Sequence, residues 1–304
     1  MPKVSVVLPA FNAASFLRQT IGSIATQSFT DFEVVVVDDG STDATAEIAR
    51  AIDPRVRVVQ QSNQGIAVAR NVGLSESSGE WIAFMDHDDL WHPDKLKVQT
   101  QILESDPGCG IVYGEFLRWN PQMPPQFPDG ILDGSLIVAD LSGFMLSRLV
   151  QTNWVLLSTA MIRREVFNDV GLFDPCMPPA DDWDFVLRAA ERFRFTKLVQ
   201  PLALYRVHPG QTSLKLPTRN VEFELRARTL GRLHELGEVV PDMAGVGRRQ
   251  FLALFHHGLA QYTAGLYREA CETFRLALRY RATSHKAMIY LVASFVRSRL
   301  QKRT

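Results

Sequence analysis

The sequence predicts an α/β fold: a mostly parallel central sheet with helices on both faces, continued by an all-α C-terminal extension. Three observations carry this. Short runs rich in branched and aromatic residues fall at 4–8, 33–38, 56–60 and 81–85, and segments of helical period separate them. Strands alternating with helices are built from βαβ units, whose strands lie parallel. After about residue 213 the strand signal stops and only helical periodicity remains. The division expected from this pattern is 1–212 for the α/β body and 213–304 for the helical region.

The elements follow in order. The first strand, Val4-Ser5-Val6-Val7-Leu8, ends at Pro9, which lacks the N–H that a ladder uses. Leu17, Ile21 and Ile24 stripe the first helix, which Asn12 is placed to cap; Thr42 or Asp43 is placed to cap the second. Ile66, Ala69 and Gly73 mark the third. Trp81-Ile82-Ala83-Phe84-Met85 is too short and too branched for a helix and reads as a buried strand. A helix at 93–105, a short strand at 111–113 and an exposed Pro/Gly/Asp-rich loop at 119–135 come next. Then follow a strand at 157–162, a helix at 163–169, a Pro-rich loop at 174–180, a helix at 181–193 and two strands, 195–199 and 202–206. The remainder reads as helices at 217–236, 245–263, 266–280 and 284–299. Gly265 to Ala270, with Phe274, Ala277 and Leu278, has the pattern of one tetratricopeptide-like hairpin; such units need neighbours to bury their faces, and a plain hairpin packed on the main domain is the simpler reading.

With 46% hydrophobic and 22% charged residues in 304, the composition is that of a soluble globular protein. The net charge of zero is unevenly divided. Residues 1–212 carry 17 Lys+Arg against 26 Asp+Glu, and residues 213–304 carry 16 against 7, so an acidic body of −9 joins a basic region of +9. Cys109, Cys176 and Cys271 lack CxxC spacing and an even count, which argues against a disulfide framework or zinc site and fits a reducing, cytoplasmic location. The chain runs directly into a strand, so no signal peptide is expected, and no apolar run approaches the ~20 residues of a membrane span. Residues 281–304 hold six Lys+Arg and no acid around the apolar stretch Ala287–Val296. That suits a helix lying peripherally on an anionic membrane face, or equally a terminal helix covering its own domain. The basic residues lack the interleaved aromatics of a strand-binding groove, so no nucleic-acid partner is expected.

The chemistry gathers where strands end. The run Trp81–Met85 stops at Asp86-His87-Asp88-Asp89, three carboxylates in four positions at the carboxyl end of a central strand, where open α/β sheets bind ligands. Helix capping needs one acid, not three. In extended backbone Asp86 and Asp88 share a face, and like charges that close raise each other's pKa unless a cation sits between them. Oxygen ligands favour Mg²⁺ or Mn²⁺ shared with a phosphate. A second acidic pair, Asp38-Asp39, ends the second strand before Gly40, and a carboxylate there can accept the imide N–H of a base.

With Pro9-Ala10-Phe11-Asn12, Arg70-Asn71 and Asp86–Asp89 in this order and spacing, the chain from Val4 to about His208 resembles the GT-A inverting glycosyltransferases of family 2. The resemblance implies a Rossmann-like nucleotide-diphospho-sugar transferase fold. It implies that Pro9, Ala10 and Phe11 line the base pocket, with Asp39 bonding the base, Asp38 beside it and Arg70 reaching base or phosphates. It places Asp86 near the ribose and Asp88 on the metal, as the family's Asp-x-Asp motif. Asp181-Asp182-Trp183-Asp184 is similar to the family's Glu-Asp-Trp-Asp segment, which maps the catalytic base to Asp182, with Asp181 replacing Glu. At a helix start, Asp182 also suits a structural N-cap. Arg206-Val207-His208 is similar to the Arg-x-His segment, so His208 is expected at the metal or diphosphate. Phe11 stands where many members carry Tyr and loses that hydroxyl.

The expected activity is metal-dependent, inverting sugar transfer from a nucleotide-sugar donor to a hydroxyl acceptor, a glycan or a lipid-linked acceptor, in bacterial cell-envelope or exopolysaccharide assembly. Asp39 favours a UDP- or dTDP-sugar, with a GDP-sugar the other option. Trp91, Trp154 and Trp183 are candidates for an acceptor groove, or for core. A nucleotidyltransferase or dehydrogenase would show a Gly-rich loop after the first strand, and Pro9-Ala10-Phe11-Asn12-Ala13-Ala14 has none. The alternative class is a nucleotide-sugar-binding or scaffold protein that uses the helical tail as a partner surface.

Overall fold

The computed structural model of the chain describes residues 1–128, 141–177, 179–211 and 220–301. Its first elements are β1 (Val4–Ala10), α1 (Leu17–Ala25), β2 (Phe32–Asp38), α2 (Thr45–Ile52), β3 (Val56–Gln60), α3 (Ile66–Glu76) and β4 (Trp81–Phe84). Then come β5 (Leu90–Trp91), α4 (Lys95–Ser105), β6 (Cys109–Trp119), α5 (Leu146–Leu149), β7 (Met161–Arg163), α6 (Arg164–Val170), α7 (Asp181–Ala190) and β8 (Arg194–Arg206). The C-terminal region is α8 (Val221–Leu236), α9 (Met243–Thr263), α10 (Tyr267–Tyr280) and α11 (His285–Gln301). The α/β class, the parallel core and the all-helical C-terminal region are all present. Of the expected features, residues 129–135 of the Pro/Gly-rich loop, Pro178, the 212/213 boundary and the helix start at 217 lie outside the described residues.

The eight strands of the described residues form one sheet, ordered β3-β2-β1-β4-β7-β6-β8-β5. The first four are parallel, β6 and β8 are parallel, and β7 and β5 join antiparallel. Alternation along β1 and β2 splits the core between the two faces. Val4, Val6, Leu8, Val34 and Val36 pack against Leu17, Ile21 and Ile24 of α1, whereas Val35 and Val37 pack against Ala69 of α3. A Cβ at Gly73 would lie 2.3 Å from Val7 Cγ1, so α3 lies this close to the sheet only because position 73 has no side chain.

The chain divides into two compact units: Met1–Met145 with Asn153–Gly210, and Leu146–Thr152 with the residues from Gln211 onward. In the helical unit, Ala270, Phe274, Ala277 and Ala287 bury against Phe251 and Leu254. No described helix is long and apolar enough to cross a membrane.

Several local expectations are corrected. The strands expected at 195–199 and 202–206 are one strand, β8, because Pro201 pairs opposite Glu115 at a register shift and the ladder with β6 continues past it. Its partner β6 runs to Trp119 rather than ending at 113, since cross-strand pairing supplies what its mixed sequence Glu115-Phe116-Leu117-Arg118 does not signal. The strand expected from 157 begins at Met161; Thr159 and Ala160 donate instead to Leu156 O and Leu157 O in a tight turn. Asn12 does not cap α1. It adopts a left-handed φ of 49°, which Asn tolerates, and its Oδ1 accepts Thr42 N–H across the sheet edge at 2.9 Å. Asp43 sits one residue before the cap position of α2, and its Oδ1 accepts Thr45 N–H.

Candidate active site

Parallel pairing brings the carboxyl ends of β1, β2, β3 and β4 to one edge. Ala10 lies beside Asp38, Asp38 beside Gln60, and Met85 N–H donates to Val7 O. Phe11, just past β1, is 43% exposed, so its ring is free to meet a ligand. Asp38 and Asp39 are buried. Asp38 Oδ1 accepts Ser41 N–H at 3.0 Å, and Oδ2 accepts Gln60 Nε2 at 3.1 Å. Asp39 accepts three donors from the loop entering α3: Gln61 Nε2 at 2.7 Å, Gln64 N–H at 2.9 Å and Gly65 N–H at 2.9 Å. Gly40 has a φ of +80°, and a Cβ there would lie 2.7 Å from Asn63 N, so the turn needs glycine.

The second acidic cluster is built differently. Asp86 to Asp89 form a turn, with Asp89 N–H donating to Asp86 O at 3.2 Å, rather than the extended segment that alternation suggested. The turn sends Asp86 and Asp88 to different partners. Asp86 Oδ1 meets Arg70 Nη2 at 3.2 Å, and Asp88 Oδ2 meets His208 Nε2 at 2.9 Å. His208 also packs its ring against Phe16, with centroids 4.6 Å apart. Arg206, at the end of β8, holds the turn from beneath: its Nε donates to Asp88 O at 2.6 Å and its N–H to Asp89 Oδ1 at 3.1 Å. From α1, Thr20 Oγ1 lies 2.9 Å from the carbonyls of His87 and Asp89. Asp89 is buried. Desolvation, then the charges of Asp86 and Asp88, hold its pKa well above the usual carboxylate range.

Arg70, on α3, links this turn to the third acidic cluster. Its guanidinium donates from Nη1 to Asp181 Oδ2 at 2.6 Å and from Nη2 to Asp86. Burial alone would lower its pKa; the carboxylates of Asp181, Asp86 and Asp182 outweigh that and raise it. The next residue, Asn71, exchanges two hydrogen bonds with the backbone of Phe173, at 2.8 and 3.0 Å, fixing the segment that leads to α7. At the start of α7 the cap position belongs to Ala180, which makes no side-chain cap bond. Asp182 is half-buried; its Oδ1 accepts Trp183 N–H at 2.6 Å and its Oδ2 lies 3.4 Å from Asn153 Nδ2. Desolvation, then the neighbouring Asp181 charge, push the Asp182 carboxyl up to about 7 against the pull of Arg70. A carboxyl poised there exchanges a proton near neutrality.

The structure therefore joins Arg70 to Asp86 and, through Asp181, to the start of α7, and it joins Asp88 to His208. Asp38, Asp39, Pro9, Ala10 and Phe11 lie at the ends of β1 and β2, with Asp38 and Asp39 already hydrogen-bonded. Among the tryptophans, Trp91 and Trp183 are core, and Trp154, beside Asn153, is 40% exposed. Two contributors carried no sequence signal. Asn153 reaches Asp182 from 29 positions away. Ser158 Oγ accepts Asp86 N–H at 3.2 Å, while Ser158 O accepts Trp91 Nε1 at 2.7 Å. The turn bearing Ser158 rests on a buried Lys95–Gln99 pair: Lys95 Nζ donates to Ala160 O at 3.2 Å, and Gln99 Nε2 to Thr159 O at 2.8 Å. Neither spacing nor residue type marks such contacts in a single sequence.

Among the described residues, no group of three or more His, Cys, Asp or Glu is arranged to hold a metal by itself. The Asp88–His208 pair places one carboxylate oxygen and one imidazole nitrogen 2.9 Å apart. Two protein ligands fit a Mg²⁺ or Mn²⁺ ion that takes its other positions from a phosphate group and water.

Residues 5–171, more than half the chain, match the family described as Glycosyl transferase family 2. Over 106 residues the chain is 42% identical to the putative teichuronic acid biosynthesis glycosyltransferase TuaG of Bacillus subtilis (strain 168), covering 34% of this chain and 42% of that protein. The chain spans 32% of the length of the first curated relative it matches and 73% of the next. Its fold is shared by solved structures, among them these two. S. aureus TarS 1-349 in complex with UDP-GlcNAc superposes with a TM-score of 0.61 at 19% identity, over 99% of this chain and 92% of that one. The mannosyltransferase PcManGT from Pyrobaculum calidifontis, in complex with GDP-Man and Mn2+, gives 0.55 at 22% identity, over 97% and 86%. Together with the strand-end acidic motifs, the match over residues 5–171 settles the lineage: this chain belongs to glycosyl transferase family 2.

Proposed function

We propose that this protein is an inverting glycosyltransferase, moving a sugar from a nucleoside-diphosphate donor to a hydroxyl acceptor in the assembly of a cell-envelope polysaccharide or glycolipid. The observation that carries this reading is Asp182, a half-buried carboxyl held near neutral pKa at the start of α7, tied through Asp181 and Arg70 to the acidic turn after β4.

The base of the donor lies against Phe11, between Pro9-Ala10 and Asp39. Asp39 accepts three of the roughly four hydrogen bonds that a carboxylate can take, which leaves one for an imide N–H and favours UDP or dTDP over GDP. Asp38 stiffens the turn beside it, and Asp86 faces the ribose. Asp88 and His208 would hold a Mg²⁺ or Mn²⁺ ion, which would supply positive charge for a departing diphosphate. Arg70 keeps Asp86 and Asp181 in register, so that the donor side and the acceptor side are set by one guanidinium. Asp182 takes the proton from the acceptor hydroxyl as that oxygen attacks the anomeric carbon opposite the leaving nucleotide. Asn153 orients its Oδ2, and Trp154 offers an exposed ring for the acceptor sugar. The relatives' names fit this class: TuaG carries teichuronic acid biosynthesis in its own, and TarS was solved with UDP-GlcNAc. Working from the cytoplasmic side at the membrane surface suits a lipid-linked acceptor.

The test measures release of nucleoside diphosphate from UDP-, dTDP- and GDP-sugars, with Mn²⁺, with Mg²⁺ and with chelator. Turnover that needs a divalent ion and is lost in Asp88→Ala supports the reading. A protein that binds these donors but releases no diphosphate under any of these conditions is a binding protein instead.

A further inference from the structure

The helical unit closes on α11, whose two faces are both apolar. One face, through Ala287 and with Tyr290 and Leu291 partly buried, packs into the core of Phe251, Leu254 and Phe274. The other is exposed. Met288, Ile289, Val292, Phe295 and Val296 are 46, 65, 56, 44 and 50% accessible, and their spacing of three and four residues puts them on one side of the helix. Exposed apolar side chains scattered singly need no explanation; five in one stripe mark a contact surface.

Charge selects what lies against it. Lys286 borders the stripe, and the Arg299 guanidinium sits over the Phe295 ring at 4.6 Å, at its C-terminal end. Residues 281–304 contain six basic residues and no acidic one. A second copy laid face to face would bring two such basic sets together, which like-charge repulsion opposes. An anionic lipid surface satisfies both halves of the pattern: the apolar stripe enters the headgroup boundary and the basic side chains meet phosphate.

We infer that the exposed face of α11 is a lipid-docking surface that holds the protein on an anionic membrane. This deepens the proposal of a membrane-side acceptor, and it is tested without turnover, so its failure leaves the transferase reading standing. Full-length protein is floated with vesicles of phosphatidylcholine alone and of phosphatidylcholine mixed with phosphatidylglycerol, and its solution mass is measured by light scattering. The expected result is flotation with the mixed vesicles only. Val292→Asp, at an exposed position, then lowers the bound fraction about tenfold with the melting temperature unchanged. The paired change Lys286→Gln and Arg299→Gln, which keeps the apolar stripe intact, lowers it by about the same factor. The inference is overturned if wild-type protein stays at the bottom of the gradient, or if Val292→Asp floats as well as wild type. It is equally overturned if light scattering shows a dimer that Val292→Asp dissociates, because the stripe is then a protein interface.

Discussion

Asp38-Asp39 and Asp181-Asp182 are both adjacent aspartate pairs, and the fold treats them in opposite ways. Asp38-Asp39 is surrounded by donors: backbone N–H groups of Ser41, Gln64 and Gly65 and the amides of Gln60 and Gln61 donate to the two carboxylates. Asp181-Asp182 receives one strong cation, and Asp181 takes it. Asp182 is left with one backbone N–H, a long contact to Asn153 and a charged neighbour, and its pKa rises to about 7. Identical chemistry in the sequence becomes a pair well supplied with hydrogen-bond donors in one place and, in the other, a carboxyl raised to about 7, the proton acceptor of the proposed reaction. Local supply of donors decides which.

The comparison is broken most directly at the reactive pair. Asp182→Asn should lower kcat by about 10² to 10⁴, the range for removing a general base, while leaving the donor KM near its wild-type value; steady-state kinetics with saturating acceptor decide it. Undiminished turnover in this variant would move the base elsewhere.

Next in size is the cation between the clusters. Arg70→Met leaves Asp181 buried without its partner and should cost about 3–5 kcal/mol of stability, read by urea denaturation. Adding Asp181→Asn to it should recover much of that loss. A simple sum of the two single effects would show that the pair is not coupled.

The pH dependence follows from the same asymmetry. The folded Asp182 holds its proton up to about pH 7, and only the ionised form accepts another, so kcat/KM should rise with pH and level off above that value. Stability runs the other way. Between the ordinary carboxylate value of 3.8 and about 7 the folded state binds more protons at Asp182 than the unfolded chain, so this residue's contribution falls as pH rises through that window. Thermal melts of wild type and Asp182→Asn at several pH values should diverge across it, and parallel curves would refute the assignment.

A smaller effect is expected at the braced pair. Asp39→Ala strands the N–H groups of Gln64 and Gly65 and should destabilise by about 1–3 kcal/mol, with donor KM rising as the loop before α3 loosens. Smallest of all, Trp154→Ala should raise the acceptor KM by about three- to tenfold and leave the donor KM alone.

Much of this site was legible in the sequence because βαβ units leave few choices. Once runs such as Val34–Val37 and Trp81–Phe84 are parallel strands, the acids that follow them must reach one edge, whatever the loops do. What spacing could not convey was direction. Asp86 and Asp88 were expected on one face; the Asp89-to-Asp86 turn aims one at Arg70 and the other at His208. Asn12 looked like a helix cap and instead ties two loops together. Asn153 and Ser158 were invisible because an isolated polar residue gains a role only from what packs beside it.

By itself the sequence determined the class of fold, the alternation of its first strands with helices and the acidic residues at the strand ends, since hydrophobic period and chain connectivity are local properties that no later packing can undo. Tertiary structure alone decided which carboxylate is paired with a cation and which is held at a raised pKa. That depends on where Arg70 lands relative to Asp86, Asp181 and Asp182, and electrostatic energy is set by distance and burial, which residues 16 and 111 positions apart acquire only on folding.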